Sequence, residues 1–339
     1  MAGEVTGREA SASAFDRAYR FYAAVGFLPI MLALFVIVLA LFVPHFLALG
    51  NIFNVLRSSS YLVILAVGQM LVMIVGGFDL SVGAVVALTS VVSASVMAGL
   101  AGSLGGHPGI IIALGVGAGV GCGLAIGLLN GLCVAFLKVS PFMVTLGTAS
   151  IATGFALLLT DGIPVYGMPK SFVNDFGRGL WLQLPTAVYV AVIIVMLLWV
   201  MQNFTRMGRY IYAIGGNLQA AIVSGVRAKT HLILAYALCA MLASVSGLAL
   251  TAQIGSGQAV LNAQLTLESI AAAVIAGVSL KGGVGKVEMV ALAAVFLLTL
   301  TDAMDLLKID PRVQSIFLGV IVVLAVAVEE LAKRRMTLV

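Results

Sequence analysis

Long apolar runs separated by short polar ones fill the chain, and within the runs there is no two-residue alternation of the kind a half-buried strand shows. A helix needs about 20 apolar residues to cross a bilayer. Ten segments stand out, near 23–43, 61–76, 81–101, 109–136, 141–160, 186–203, 231–252, 263–280, 287–304 and 313–330. The eighth carries an acid, Glu268. The second is short: its apolar stretch would rise only about 22 Å as a helix, against a ~30 Å hydrocarbon core. Gly76 and Gly77 then break it, and Asp79 opens the next run. The pattern predicts an all-α polytopic membrane protein of about ten transmembrane helices, with a broken or re-entrant helix near 76–80.

Composition removes the soluble alternative. The chain is 62% hydrophobic and 9% charged, where a soluble domain carries roughly 25% charged residues, and its mean hydropathy is +1.18. Lipid is the solvent, and only helices or a closed barrel satisfy the backbone there. The net charge of +5 does not signal nucleic acid, because the charges fall between apolar runs and act as topology determinants.

With the N-terminus inside, ten spans leave thirteen of the eighteen Lys and Arg residues on the cytoplasmic side: Arg8, Arg17, Arg20, Lys138, Arg206, Arg209, Arg227, Lys229, Lys281, Lys286, Lys333, Arg334 and Arg335. The outer segments hold Arg57, Lys170, Arg178, Lys308 and Arg312. The positive-inside rule supports this orientation, with both termini cytoplasmic. The first apolar run is too long for a signal-peptide core and no small-x-small site follows it, so it reads as an uncleaved span. The domains are then a cytoplasmic segment 1–22, one transmembrane domain 23–330 and a cytoplasmic tail 331–339. No stretch outside the membrane is long enough to bury a core of its own.

One motif invites a different reading. "SLKGGVGKVE" (279–288) resembles a phosphate loop, in which Gly-rich backbone and a Lys hold phosphate. A phosphate loop also needs a buried strand before it and a Ser or Thr after the Lys; Val287 stands there, and the flanking runs read as transmembrane helices. Glycines for a tight turn and two lysines for the cytoplasmic side are all the topology asks. Cys122, Cys133 and Cys239 lie inside apolar runs, and His45, His107 and His231 sit singly at their edges, so no metal site is expected. Catalytic constellations are absent from the sequence as well.

The loop 161–185, rich in Gly and Pro, falls outside, with Trp181 as an interfacial anchor. The basic loop 204–230 falls inside. In it Asn217 is a good N-cap, "LQAAIVS" can form about two helical turns, and Gly225 can end them. Such a helix is either a solvated connector or a docking element. "GRYIYAIGGN…AAIVSGV" resembles the coupling loop of the ribose-type sugar permeases of ATP-binding cassette importers, a family that includes ribose, xylose, galactoside and autoinducer-2 permeases. "NIFNVLRSSS", "AVGQMLVMIVGGFDLSVGAVVALTS", "LLNGLCVAFLKVSPFMVTLGT" and "ESIAAAVIAGVSLKGGVGK" are similar to the same family, in family order, from about residue 51 to 330.

The resemblance implies a transmembrane subunit without its own catalytic site. Its expected partners are a cytoplasmic cassette ATPase, a periplasmic or lipid-anchored sugar-binding protein, membrane lipid and a second permease subunit, identical or paralogous. ATP and magnesium are expected on the ATPase, so this chain is expected to hold no cofactor. The matched stretch places ATPase docking on Arg209, Gly215, Gly216, Asn217, Ala220 and Gly225. Leu218 departs from the family, where an acidic residue is common, which removes the basis for a specific salt bridge there.

Candidates for the substrate pathway are Gly77, Asp79, Ser81, Asn130, Phe142, Thr145 and Glu268. Amides, hydroxyls and aromatic faces suit a sugar, and an acid at membrane depth often marks a site. Each also has a structural reading. Asp79 can cap the following helix, Glu268 can sit near the outer headgroups, and small or polar residues also mediate helix packing. "VGGFDLSVG" (75–83) and "VSGLALTAQ" (245–253) share Val, Gly and Leu positions, and the topology would make them inverted copies. The sequence therefore reads as an importer permease. The alternatives are a proton- or cation-coupled secondary transporter using Asp79 and Glu268, and a membrane-bound ATPase. The orientation is checked with reporter fusions: a phosphatase placed after Lys170 is expected to be active and one placed after Val339 inactive, and the reverse pattern overturns it.

Overall fold

Each apolar run folds as a helix in the computed structural model, which describes residues 27–261 and 264–336. In chain order the helices are α1 (Phe27–Phe42), α2 (Leu49–Ile74), α3 (Val82–Leu100), α4 (Pro108–Leu132), α5 (Pro141–Thr160), α6 (Thr186–Phe204), α7 (Arg206–Gly216), α8 (Leu218–Val223), α9 (Ala228–Ile254), α10 (Gln264–Ile275), α11 (Val287–Leu306) and α12 (Pro311–Met336). Among the described residues seven are long and apolar enough to cross a membrane, and three shorter apolar helices, Leu28–Phe42, Gln264–Ile275 and Pro311–Leu324, lie in the other three predicted segments. The chain is a multi-pass membrane protein. The cytoplasmic segment 1–22 and its three arginines lie outside the described residues, and residues 331–336 continue α12.

The second span is not short. Helix α2 starts at Leu49 rather than near 61, and its 26 residues rise about 39 Å. Polar residues that interrupt the apolar pattern are paired inside the fold. Asn51 Nδ2 donates to Asp302 Oδ2 on α11 (2.8 Å) and to the Phe46 carbonyl (3.1 Å). Arg57, expected in an outer loop, lies within α2 and donates to the Arg178 carbonyl at 3.2 Å.

The break near 76–80 is present. Gly76 takes a left-handed φ of +81°. Gly76 N–H donates to Met73 O and Gly77 N–H to Val72 O, both at 2.9 Å. These paired bonds close α2 as a Schellman motif. The chain then climbs back along α9. Gly77 stands against Tyr236, whereas Val86 stands against Gly247, eleven residues or about 16 Å further along that helix. Helix α3 therefore starts part-way along α9 rather than at its end.

What holds the centre together is a row of glycines. Gly115, Gly119, Gly123, Gly127 and Gly131 recur every fourth residue along α4, all buried. A Cβ on Gly127 would lie 2.6 Å from the Tyr236 carbonyl, and one on Gly131 would lie 2.7 Å from Ile233 Cα. A Cβ on Gly119 would lie 2.9 Å from the Thr89 methyl of α3. In lipid there is no hydrophobic drive between helices, so close backbone approach through small residues supplies the packing.

The helices form two halves of opposite direction. Ser246 on α9 donates to the Tyr61 carbonyl of α2 at 2.9 Å, while Tyr236 meets Gly77 at α2's other end, so α2 and α9 are antiparallel. Each packing pair in the α2–α5 half has its counterpart in the α9–α12 half: α2 on α11 matches α9 on α4, α3 on α4 matches α10 on α11, α3 on α5 matches α10 on α12, and α3 on α9 matches α10 on α2. The proposed equivalence of 75–83 with 245–253 has the right helices and the wrong register. Residues 245–253 lie in the unbroken interior of α9. The counterpart of the 75–81 turn is the stretch after Gly255, from which α10 starts. The first turns of α3 and α10 meet where Gly83 N–H donates to Thr266 Oγ1 at 3.1 Å.

Residues 161–185, expected outside, fold into a π-helical turn, Phe172–Gly177, and a two-residue hairpin, Leu180–Trp181 with Leu184–Pro185. Arg178 donates to the Gln253 and Ile254 carbonyls at 3.0 and 3.1 Å, placing a cation at the C-terminus of α9 where the helix dipole favours it. The glycine row yields a stability test. Gly127→Ala is expected to destabilise the detergent-solubilised protein by about 1–3 kcal/mol through overpacking. Gly121→Ala, on a face with nothing within 4 Å, is expected to be neutral or slightly stabilising; thermal unfolding of both variants checks this.

Candidate functional site

The loop 204–230 folds as the sequence predicts. Thr205 caps α7 by accepting from Gly208 N–H at 3.2 Å. Asn217 ends α7 and begins α8, its Oδ1 accepting from Ala220 N–H at 3.0 Å. Gly225, with φ +83°, lets the chain turn away after α8. Of the six residues of α8 only Ala221 is buried. Leu218, Ile222 and Val223 are exposed, Val223 by 87%. Arg206 and Arg209 on α7, and Arg227 and Lys229 after α8, are exposed as well. An exposed apolar tip on a capped helix, in a segment that carries exposed cations, is a shape that receives a partner rather than one that packs its own core.

Behind the tip the backbone is drawn close to the membrane body. Gly283 N–H donates to the Ile74 carbonyl at 2.8 Å. A Cβ on Gly215 would sit 1.7 Å from that carbonyl, and one on Gly283, itself at φ +76°, would sit 2.9 Å from Gly216 Cα. Three chain segments, the end of α2, the end of α7 and the 277–286 loop, thus touch backbone to backbone. This is the use of the glycines in "KGGVGK". Gly282 N–H goes to Ser279 O at 3.1 Å, so the N–H groups of Gly282 and Gly283 are spent on protein carbonyls. The Tyr212 hydroxyl of α7 donates to the Gly285 carbonyl at 2.5 Å. Burial, and after it the nearby Glu288 carboxylate, pushes the pKa of Tyr212 up to about 12, so it stays a donor at any physiological pH.

Between α8 and the membrane body lies a cleft of about 420 Å³, walled by Leu218 and Ile222 on one side and by Gly76, Gly77, Lys138 and Tyr236 on others. The coupling segment is therefore attached at its root and spaced from the body at its tip.

The pathway candidates divide into two groups. Asp79, Ser81, Asn130 and Thr145 are fully buried and most of them are bonded to one another. Asp79 Oδ1 accepts from Ser81 N–H (2.8 Å) and Ser81 Oγ (2.5 Å). Ser81 Oγ in turn accepts from Asn130 Nδ2 at 3.0 Å. Thr145 Oγ1 donates to the Pro141 carbonyl at 2.8 Å. Asp79 thus meets the N-terminal end of α3 as a capping residue would. Its other oxygen, Oδ2, has no hydrogen-bond partner among the described residues, and neither has the Tyr236 hydroxyl. Gly77 is held against that hydroxyl. Phe142 is about half exposed on α5. Glu268 lies in the fold's other half, two residues beyond the Thr266 that meets Gly83 of α3, and with Gln264, Ser315 and Gly319 it lines an apolar groove of about 330 Å³ between α10 and α12. Thr148, which the sequence reading did not single out, joins the buried chain by donating to Asn130 Oδ1 at 2.7 Å. Its position three residues after Thr145, on one helix face, was the available signal.

Comparison with known proteins accounts for this arrangement. Residues 51–326 match the family described as the branched-chain amino acid transport system / permease component. The chain belongs to this permease family. The ribose import permease protein RbsC of Bacillus subtilis (strain 168) is 35% identical over 88% of this chain and 90% of its own length. The D-allose transport system permease protein AlsC of Escherichia coli (strain K12) is 31% identical over 86% of each chain. The galactose/methyl galactoside import permease protein MglC of Haemophilus influenzae is 35% identical over 85% of this chain and 88% of its own. No solved structure matches the chain significantly. The permease role is thereby established, and the ribose-type resemblance of the coupling loop holds along the chain.

The shared cap makes a local prediction. Asn217→Ala is expected to lower the stability of α8 by about 1 kcal/mol, seen as faster amide exchange at residues 218–223 with an unchanged melting temperature for the whole chain, while Asn217→Asp keeps the protection.

Proposed function

We propose that this permease is the transmembrane subunit of an ATP-binding cassette importer that moves a sugar or related small polyol into the cytoplasm across a bacterial inner membrane. The observation that carries the reading is α8: a capped, two-turn helix with an exposed apolar tip, rooted by glycine backbone contacts in the ends of α2 and of the 277–286 loop. The sugar class rests on the ribose, allose and galactoside permeases it resembles. The chain itself is proposed to catalyse nothing and to hold no cofactor. ATP and magnesium bind a separate cassette ATPase that docks on Arg209, Gly215, Gly216, Asn217, Ala220 and Gly225, with Leu218, Ile222 and Val223 filling a pocket on it. A sugar-binding protein delivers substrate at the outer face, and a second permease subunit closes the path. Phe142, exposed on α5, and Glu268, at its groove, are the residues proposed to reach that path. Transport proceeds by alternating access, with the docked ATPase moving α7 and α8 as it binds and hydrolyses nucleotide.

Against the relay alternative stands the engagement of Asp79 Oδ1 by both the N–H and the hydroxyl of Ser81. Energy source separates the two. In cells, uptake is expected to survive a protonophore while ATP is maintained and to stop when the ATPase is deleted; loss with the protonophore alone establishes the secondary transporter. Replacing Gly216 or Asn217 by Trp is expected to cut uptake severely while the permease still reaches the membrane. Undiminished uptake in those variants removes the docking assignment.

A further inference from the structure

If the ATPase moves α7 and α8, that motion has to reach the helices that line the path, and one route of polar contacts leads from the coupling segment into the membrane body. It starts at the Ile74 carbonyl, which is held by Gly283 N–H and touched by Gly215. From there the chain runs seven residues to Ser81. Along that turn Gln69 of α2, with its amide in the orientation that satisfies both ends, pairs with the Asp79 carbonyl and N–H at 3.1 and 3.3 Å. The route then leaves the turn through side chains. Ser81 Oγ gives its one proton to Asp79 and accepts from Asn130 Nδ2 of α4, and Asn130 Oδ1 accepts from Thr148 Oγ1 of α5.

The groups of this series hold one another in place, with the Thr148 hydroxyl closer to Asn130 Oδ1 than to the Thr145 carbonyl at 3.2 Å. Asn130 is locked because its amide nitrogen and oxygen serve opposite neighbours, and Ser81 is locked because its proton is committed to a carboxylate. Asp79, Ser81 and Asn130 are fully buried and Thr148 is nearly so, so water does not compete for these bonds. The far end is helix α5, whose hold on the rest of the subunit is slight. Of its twenty residues only Thr145, Thr148, Ala152 and Ala156 are buried, and they form one stripe. Ala152 and Ala156 pack on Leu88 and Val91 of α3, and the polar series ties down the cytoplasmic half.

We propose that Asp79, Ser81, Asn130 and Thr148 are positioning residues that transmit displacement of the coupling segment to α5, forming a polar strut rather than a sugar-binding set. The strut pulls or releases the cytoplasmic half of α5 while Ala152 and Ala156 act as its pivot. This inference rests on the docking reading above. Asp79 is the anchor by which the turn grips Ser81, and α5, with Phe142 near its moving end, is the load.

The test uses the full permease reconstituted with its ATPase and binding protein. Thr148→Val keeps the shape and removes the donor; Thr148→Ser restores it. The Val variant is expected to co-purify with the ATPase and keep its basal ATP hydrolysis, while sugar moved per ATP falls by about tenfold, the effect of losing one buried hydrogen bond of ordinary strength. The Ser variant is expected to recover it. Spin labels at Val223→Cys and Leu146→Cys, each read against a fixed outer position, give a second readout. ATP is expected to shift both sites in the otherwise native protein and only the Val223 site in the Thr148→Val background. Should Thr148→Val not reach the membrane, Ser81→Ala breaks the strut at its other end and is read the same way. An unchanged sugar-to-ATP ratio, or a preserved shift at Leu146, overturns the strut. Failure of the unmodified permease to bind its ATPase overturns the docking reading instead, so the two failures are distinct.

Discussion

The close approach of α4 to α9 is the constraint on which the rest of this fold depends. In a soluble protein, burying apolar side chains would drive such a pair together, but lipid offers no equivalent gain. Here the pair is drawn in by removing side chains altogether, every fourth residue, until backbone meets backbone. The consequences spread outward from that seam. It fixes Asn130, one residue before the last glycine of the row, within reach of Ser81. It lets Gly123 face Ser244, which accepts from Thr89 at 3.1 Å, so three helices share one polar contact. It also brings Tyr236 against Gly77, holding the α2–α3 turn at its depth. The same device recurs at the cytoplasmic edge, where Gly215, Gly282 and Gly283 let three segments meet without side chains between them.

Much of this architecture was legible in the residues, and the parts that were not share a cause. Spans 61–76 onward were read from hydropathy because lipid imposes a simple rule on side chains that face it. That rule is silent where a polar side chain has a partner, so the first three turns of α2 were missed. Asn51 and Arg57 look like loop residues until Asp302 and the Arg178 carbonyl are seen across from them, and both lie more than a hundred positions away. Asn217 and Gly225 were legible for the opposite reason: capping is a local interaction, decided within four residues. The functional residues fell between these cases. Asp79, Ser81, Asn130 and Thr145 were picked out as candidates for the substrate pathway, but their chemistry depends on what they face, and Asp79, Ser81 and Asn130 face one another.

The glycine-lysine motif shows how a pattern misleads when its context is left out. Gly-rich loops serve phosphates because they expose N–H groups, and they serve tight packing because they expose nothing. The sequence is nearly the same for both uses. What separates them is whether the N–H groups already have carbonyls to meet, and here Ile74 and Ser279 supply them.

The single residue shared by α7 and α8 has a further consequence. A displacement passed through several joints in series is diminished mostly at the softest one, whatever the stiffness of the others. The joint between these two short helices is held by the bond from Ala220 to the Asn217 side chain and by two backbone bonds, Asn217 to Ala213 and Ala221 to Asn217, whereas the membrane body is held by backbone contacts along whole helices. Warming therefore loosens the joint long before it loosens the body. On the proposed reading, the yield of sugar per ATP would decline with temperature while the protein is still fully folded, so the working range of the importer would be narrower than its melting temperature indicates.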